Sequence, residues 1–389
     1  MQKRTSIHVK KVILLTVILL TGVITTGCWN YKEINDIWMV GGTAIDWDAQ
    51  NRQYIITAEI VKPMGGQDTK IVSESISIKS DTIFNAIREG ITISGKRLYW
   101  AHTNIVIVSD AIARKGIAPV LDIIARGGEF RASLWLAVSR ENTAKEILQN
   151  KLNIFDASSF QVAETLKSQK STSTFLDSEV WFFQKDLSDE GISPVLSSIK
   201  LLQENNKLSI QAYGSAVFKS DKLEGYLDDM ETKSLLFVRN ELKGGVIALK
   251  DVAGTDTNVS CEILNSKTAL NPQIMNGNIN MNIDIKTDVA IPEIGGMVNF
   301  LDDAGRMKLK DAVKKEITGQ MLKLIGKAQN DLGIDILGFG KAIQKKYPKQ
   351  WKELKPDWDE KFKTVKSNVS VDVNIINSYR LYKPVPVGD

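Results

Sequence analysis

NINMNIDIKTDVAI, residues 278–291, places Ile279, Met281, Ile283 and Ile285 at every second position, with Asn278, Asn280, Asn282 and Asp284 between them. A period of two puts the apolar set on one face of a strand and the polar set on the other. The stretch therefore predicts an amphipathic antiparallel strand with one face packed and one solvated. A cover for the packed face follows in the chain. Leu309, Val313, Ile317, Met321, Leu324 and Ile325 recur at helical spacing and form one stripe of a long helix over 308–330. A shorter helix over 334–346, a polar tryptophan-containing helix or turn over 351–362 and a closing strand over 368–376 complete this layer.

Upstream, the pattern changes. WMVGGTAIDWD (38–48), RQYIITAEIV (52–61) and KIVSESISIK (70–79) read as strands, with a glycine-rich turn at Met64-Gly65-Gly66. Asp81 is placed to cap a helix through Ile83, Phe84, Ile87 and Arg88 that stops at Gly90. Strands at 104–110 and 133–139 then alternate with helices beginning at Asp110, at Val120 after Gly116 and Pro119, and at Asn142. Phe160–Ser168 adds a helix and Ser168–Ser173 a loop. Alternation of this kind predicts mixed α/β layers. Strands at 208–219, 244–250 and 258–267 follow, with a helix over 230–236.

The expected fold class is α+β, with a processed amino terminus and three domains of mixed or antiparallel sheets and packed helices. The expected boundaries are 1–27 for a signal segment, 28–200, 207–270 and 274–382, with Glu204–Lys207 as the linker into the second half. A length of 389 residues with 43% hydrophobic content is enough for two or three such domains, each with its own core.

The formal charge is +4, but Lys3, Arg4, Lys10 and Lys11 supply four positive charges before residue 28, with no acid among them. The rest of the chain is near neutral, so no nucleic-acid partner is expected. The opening MQKRTSIHVKKVILLTVILLTGVITTGCWN has a basic region, an apolar run and small residues before Cys28, the layout of a secretory signal. Its apolar stretch of about 13 residues is short against the roughly 20 of a spanning helix. A retained membrane anchor is the competing reading. Thr25-Thr26-Gly27-Cys28 resembles a lipobox, with threonine where leucine is usual at the first position. Either way the body lies outside the cytoplasm. Cys261, the second of two cysteines, has no partner if Cys28 carries lipid. It reads as a buried small hydrophobe, against a reactive or intermolecular thiol.

No catalytic constellation emerges. His8 and His102 are the only histidines, and His8 precedes Cys28, so a multi-histidine metal site is excluded from the body. His102 reads as a core or hydrogen-bonding residue, since no G-x-S-x-G elbow accompanies it. Asp46 and Asp48 share a strand face, yet read as turn acids in preference to a metal pair. Asp331 and Asp335 flank Gly333, which suggests a helix boundary. Gly338 and Gly340 in LGFGK lack the spacing of a phosphate loop. They, with Asp335 and Phe339, are expected to be structural. Lys341, Lys345 and Lys346 read as a solvated face, with contact to a partner or a membrane as the functional alternative.

Four segments, in order, resemble the Ger(x)C family, the C subunit of spore germinant receptors. They are Cys28-Trp29-Asn30-Tyr31-Lys32-Glu33-Ile34-Asn35-Asp36 with Gly42-Thr43-Ala44-Ile45-Asp46; Leu98–Asn104 running through Ile105–Ser109 to Arg126-Gly127-Gly128-Glu129-Phe130-Arg131; Gly214–Lys219 with Leu223, Gly225, Tyr226 and Leu227; and Asp335–Gly340 with Tyr347-Pro348-Lys349, Trp351, Trp358 and Phe362. Gly127 departs from the acid usual after the first arginine. The resemblance covers essentially the whole chain. It implies three mixed α/β domains, S-diacylglycerol and N-acyl lipid on Cys28, no other cofactor and no enzymatic activity. It also implies a place on the inner membrane of the spore, beside a multi-pass A subunit and a transporter-like B subunit, in a complex that starts germination in response to nutrients. Direct small-molecule binding by this subunit is not expected.

Two other classes compete. A solute-binding lipoprotein delivering a nutrient to a permease would favour two similar lobes, and the halves here differ in pattern. An envelope enzyme is disfavoured by the shortage of histidine and cysteine.

Overall fold

A computed structural model describes residues 11–17, 33–64, 70–131, 133–150, 155–204, 207–296 and 298–377. Two sheets organise the chain. The first contains nine strands: β1 (Ile37–Asp48), β2 (Gln53–Met64), β3 (Lys70–Ser80), β4 (Arg97–Tyr99), β5 (Ile105–Val108), β6 (Trp135–Ser139), β7 (Val195–Glu204), β8 (Lys207–Lys219) and β9 (Lys222–Leu227). Their order is β3-β2-β1-β5-β6-β7-β8-β9, with β4 also paired to β1. The central β1, β5, β6 and β7 run parallel, short β4 also pairs parallel with β1, and β2, β3, β8 and β9 pair antiparallel with their neighbours.

Burial explains the parallel centre. All four residues of β5, Ile-Val-Ile-Val, are buried, because helices cover both faces. Helices α1 (Ile83–Ser94), α2 (Asp110–Lys115) and α3 (Ala118–Arg126) share a core with Val106 and Val108. On the opposite face, α4 (Lys145–Gln149) and α5 (Ser158–Lys167) pack on Ile105 and Ile107. A short α6 (Gln169–Thr172) and α7 (Val180–Leu187) lead back to β7.

The second sheet has the order β10-β11-β12-β13, formed by Val246–Leu249, Asn258–Met275, Asn278–Gly295 and Lys366–Asn377. Ile279, Met281, Ile283 and Ile285 are buried, as their alternation requires. β12 is antiparallel to β11 but parallel to β13. The long α9 (Asp303–Gly326) lays Leu309, Val313, Ile317, Met321, Leu324 and Ile325 into this core. α8 (Asp229–Val238) follows β9 and contributes Leu235 and Leu236 to the same core, so it joins the two layers.

Several expectations are corrected. Glu204 and Lys207 pair across a β-hairpin in the first sheet, so they are not an interdomain linker. The expected middle domain at 207–270 is divided: β8 and β9 complete the first sheet, while β11 belongs to the second. The chain passes from the first layer to the second after β9, through α8, and not at 204–207. α1 is capped by Thr82, whose side chain accepts from the Asn85 amide, and it continues through Gly90 to a left-handed Gly95. Pro119 lies in the first turn of α3, where its missing N–H costs nothing. Residues 169–172 are a helical turn where a loop was expected. The helix expected from Ile334 begins instead at Phe339, as α10 (Phe339–Lys346). α11 (Pro348–Leu354) and α12 (Trp358–Phe362) fill the expected polar stretch. Met64 ends β2, and residues 65–66 of the expected turn lie outside the described residues.

Candidate functional site

The layers meet at a seam between residues 186–193 of the first and 335–341 of the second. Asp335 explains why the expected helix starts late. Its Oδ1 accepts from the amides of Leu337, Gly338 and Phe339 at 3.1, 2.9 and 3.2 Å, and its Oδ2 from the Gly340 amide at 2.7 Å and the Trp358 indole at 3.0 Å. Five N–H groups converging on one side chain wrap 335–340 into a tight turn, with Gly338 left-handed at φ 80°. The turn then supplies α10 with its first amides. Burial pushes the Asp335 carboxyl up to about 6, while the amides and indole oppose the rise. Both oxygens are committed to donors, which leaves a structural acid and not a general base.

Arg239, only 4% exposed in its side chain, ties this turn to the first layer. Its Nε donates to the Ile336 carbonyl at 2.8 Å, its Nη1 to Asp186 Oδ2 at 2.7 Å and its Nη2 to the Ser193 carbonyl at 2.8 Å. Backbone bonds add to the link: the Ser193 amide donates to the Asp335 carbonyl and the Lys341 amide to the Gly191 carbonyl, both at 2.8 Å. A cavity of about 280 Å³ opens beside Arg239, lined in part by Asp177, Phe182, Lys185, Glu241 and Lys243. Burial raises the carboxyls of Asp177 and Glu241.

The remaining expected residues separate. Phe339 is fully buried, edge-on to Phe362 at 5.9 Å. Gly340 is buried against Trp351 and Trp358. Lys341 pairs with Asp189 at 2.5 Å and Lys346 donates to the Pro272 carbonyl at 3.0 Å. Lys345 is exposed. The three lysines therefore do not form one free cationic face, because two reach back to anchor points within the fold. Cys28 lies outside the described residues.

Two acids in the first sheet repeat the logic of Asp335. Asp46 accepts from the amides of Ala144 and Lys145 at the start of α4, and Glu59 from Ser158 and Ser159 at the start of α5. Burial raises both carboxyls. Asp48 behaves as the expected turn acid, accepting from Gln50, Asn51 and Lys79. Cys261 is buried in β11. His102 departs from expectation: it is exposed and lies against Tyr99, with ring centroids 5.6 Å apart. Among the described residues no group of three or more His, Cys, Asp or Glu could hold a metal ion.

Arg239, Asp186 and Gly191 were not singled out in the sequence. An arginine just past a helix and a glycine in a loop carry no local pattern that announces a contact with a distant turn.

The sequence of this two-sheet body matches families of spore germination proteins. A family model described as "spore germination protein N-terminal domain" matches residues 30–201, and one described as "spore germination B3/GerAC like, C-terminal" matches residues 213–379. The chain is 25% identical over 378 residues to spore germination protein KC of Bacillus subtilis (strain 168), covering 91% of this chain and 92% of that protein. It is 23% identical over 368 residues to spore germination protein B3 of the same organism, covering 90% and 94%. The crystal structure of the GerBC protein superposes with a TM-score of 0.57 at 22% identity, over 86% of this chain and 97% of that one, a likeness of fold. The chain belongs to the Ger(x)C family of spore germination proteins.

Proposed function

We propose that this chain is a non-enzymatic lipoprotein, the C subunit of a nutrient germinant receptor complex, and that nutrient-triggered spore germination needs it. The observation that carries this reading is the pair of family matches at residues 30–201 and 213–379, which together span nearly the whole body. In this reading Cys28 bears diacylglycerol and an N-acyl chain, since one acyl chain alone binds a bilayer only marginally. The body sits on the outer face of the spore's inner membrane, beside a multi-pass A subunit and a transporter-like B subunit. Its contribution is to hold a surface against those partners. The commitment of Asp335 and Arg239 to intrachain bonds supports a structural role for the seam.

Affinity purification from spore membranes tests the assignment. Membrane-embedded subunits are expected to co-purify with the wild-type protein. Recovery of the chain without them rejects complex membership. Replacing Cys28 by alanine should abolish incorporation of labelled fatty acid while leaving the body folded, and unchanged labelling rejects the anchor.

A further inference from the structure

The molecule exposes large apolar side chains in many places, most of them singly, which is ordinary for a soluble surface. One end of the first sheet is different. Ile91 and Ile93, 40% and 57% exposed, lie in the last turn of α1, and the same helix exposes Phe84. The turn leads through Ser94, Gly95 and Lys96 into β4, whose Arg97 and Leu98 pair with Ile37 and Trp38 at the start of β1. Trp38 donates its indole N–H to the Ser94 carbonyl at 3.1 Å, and the ammonium groups of Lys62 and Lys96 lie 4.5 and 4.3 Å from its ring centroid. Lys62 is in register with Val72, another exposed apolar side chain. The tryptophan with its two lysines and Val72 thus stand where β1 begins, and Ile91 and Ile93, about 200° apart around the helix axis, flank the end of α1 that leads there.

That end is also where the chain arrives from Cys28. Four residues lie between Cys28 and Glu33, and the five steps from one to the other span at most about 18 Å when fully extended. Resting on acylation of Cys28, we infer that the α1–β4 corner lies on the bilayer, with Ile91 and Ile93 dipping into its interface and Trp38, Lys62 and Lys96 at headgroup level. Isoleucine tips gain from leaving water, and a tryptophan beside lysines suits the boundary between acyl chains and headgroups. Attraction to anionic lipid is not the main force. Lys62 is paired with Glu74, Arg88 and Arg97 share Glu129, and Lys96 donates to the Asn35 carbonyl. Glu33, Asp36 and Glu89 are acids of the same end. The contact is therefore expected to survive high salt.

Full-length protein is reconstituted in phosphatidylethanolamine–phosphatidylglycerol vesicles containing brominated lipid, after Ile93→Cys or Met275→Cys labelling with an environment-sensitive fluorophore. Met275 is 59% exposed in the second sheet, the native Cys261 is buried with its thiol pushed up to about 12, and the thioether of acylated Cys28 has no free thiol, so labelling of the lipid-bearing protein is selective. The probe at 93 should be quenched at least about twofold more than the probe at 275, in low salt and high. Incorporation of labelled fatty acid into the same protein reports the tether separately. If fatty acid is incorporated and the two probes are quenched equally, the corner contact is overturned while the lipoprotein reading stands. If no fatty acid is incorporated, the lipoprotein reading fails and the contact that rests on it falls with it.

Discussion

Gly191 and Gly340 cross with backbone against backbone. A Cβ built on Gly191 would lie 2.6 Å from the Gly340 carbonyl carbon and closer still to the Lys341 amide, and one on Gly340 would lie 3.0 Å from the Gly191 oxygen. The same Cβ on Gly340 would lie only 2.7 and 2.8 Å from the indoles of Trp351 and Trp358. Backbone cannot swing aside as a flexible side chain can, so this crossing fixes how closely the two layers approach.

Gly191→Ala is accordingly expected to lower stability by at least the 1–3 kcal/mol typical of overpacking, or about 4–8 °C in melting temperature for each kcal/mol in a small domain and less in a chain of this size. Thermal unfolding of the purified body measures it. A variant that melts with wild type would mean that the layers can separate at this point without loss.

Phe339 and Lys345 differ in the same way as core and surface. Truncating fully buried Phe339 to alanine should cost about 3–5 kcal/mol and remove its edge contact with Phe362. Lys345→Glu should change stability by no more than about 0.5 kcal/mol. Lys346→Glu falls between them, at about 1 kcal/mol, because it deletes the hydrogen bond to Pro272. Unfolding curves read beside germination rates separate the effects. A Phe339→Ala protein that melts normally yet fails in germination would identify a contact surface in place of a core.

Arg239→Ala should be costly, about 3–5 kcal/mol, since it leaves Asp186 and two carbonyls at the seam without their donor. The double variant Arg239→Ala/Asp186→Asn should recover part of that loss, because the stranded charge is gone. A double-mutant cycle on unfolding free energies tests this, and strict additivity would dissolve the proposed coupling.

Much of this fold was legible in residue periodicity. The alternation of Ile279 to Ile285 and the stripe from Leu309 to Ile325 each named one face of an element, and those faces are buried. What was not legible depends on distant partners. No local pattern says that Glu204 and Lys207 pair across a hairpin, since a polar linker and a polar hairpin tip have the same composition. Nor does Ile334-Asp335-Ile336-Leu337 show that its acid captures four amides ahead of it and delays the helix to Phe339. Asp335 was singled out with Gly338 and Gly340 as structural, but the indole that completes its shell comes from Trp358, 23 residues on. Arg239 carries no such signal because its three acceptors come from two distant segments, 186–193 and 335–341.

Asp335 supplies a prediction in pH. Its carboxyl titrates near 6 in the fold against an ordinary value of 3.8. Between those values the folded chain binds more protons than the unfolded chain at this site. Its contribution to stability is therefore fully present below 3.8 and is lost as pH rises through about 6. Two pH units of displacement correspond to about 3 kcal/mol. Asp335→Asn removes the titration and so serves as the reference. At neutral pH the variant should already be less stable by a few kcal/mol, because its amide nitrogen turns a donor toward the Gly340 amide or the Trp358 indole, where the carboxylate accepted. Lowering the pH from 7 to 4 should then widen the gap in wild type's favour by about 2 kcal/mol. The buried acids Asp46 and Glu59 titrate in both proteins and cancel in the difference. Denaturant unfolding of both proteins across that range measures the gap. A gap that stays constant, or narrows toward pH 4, would mean that the five donors outweigh burial and that Asp335 remains ionised throughout.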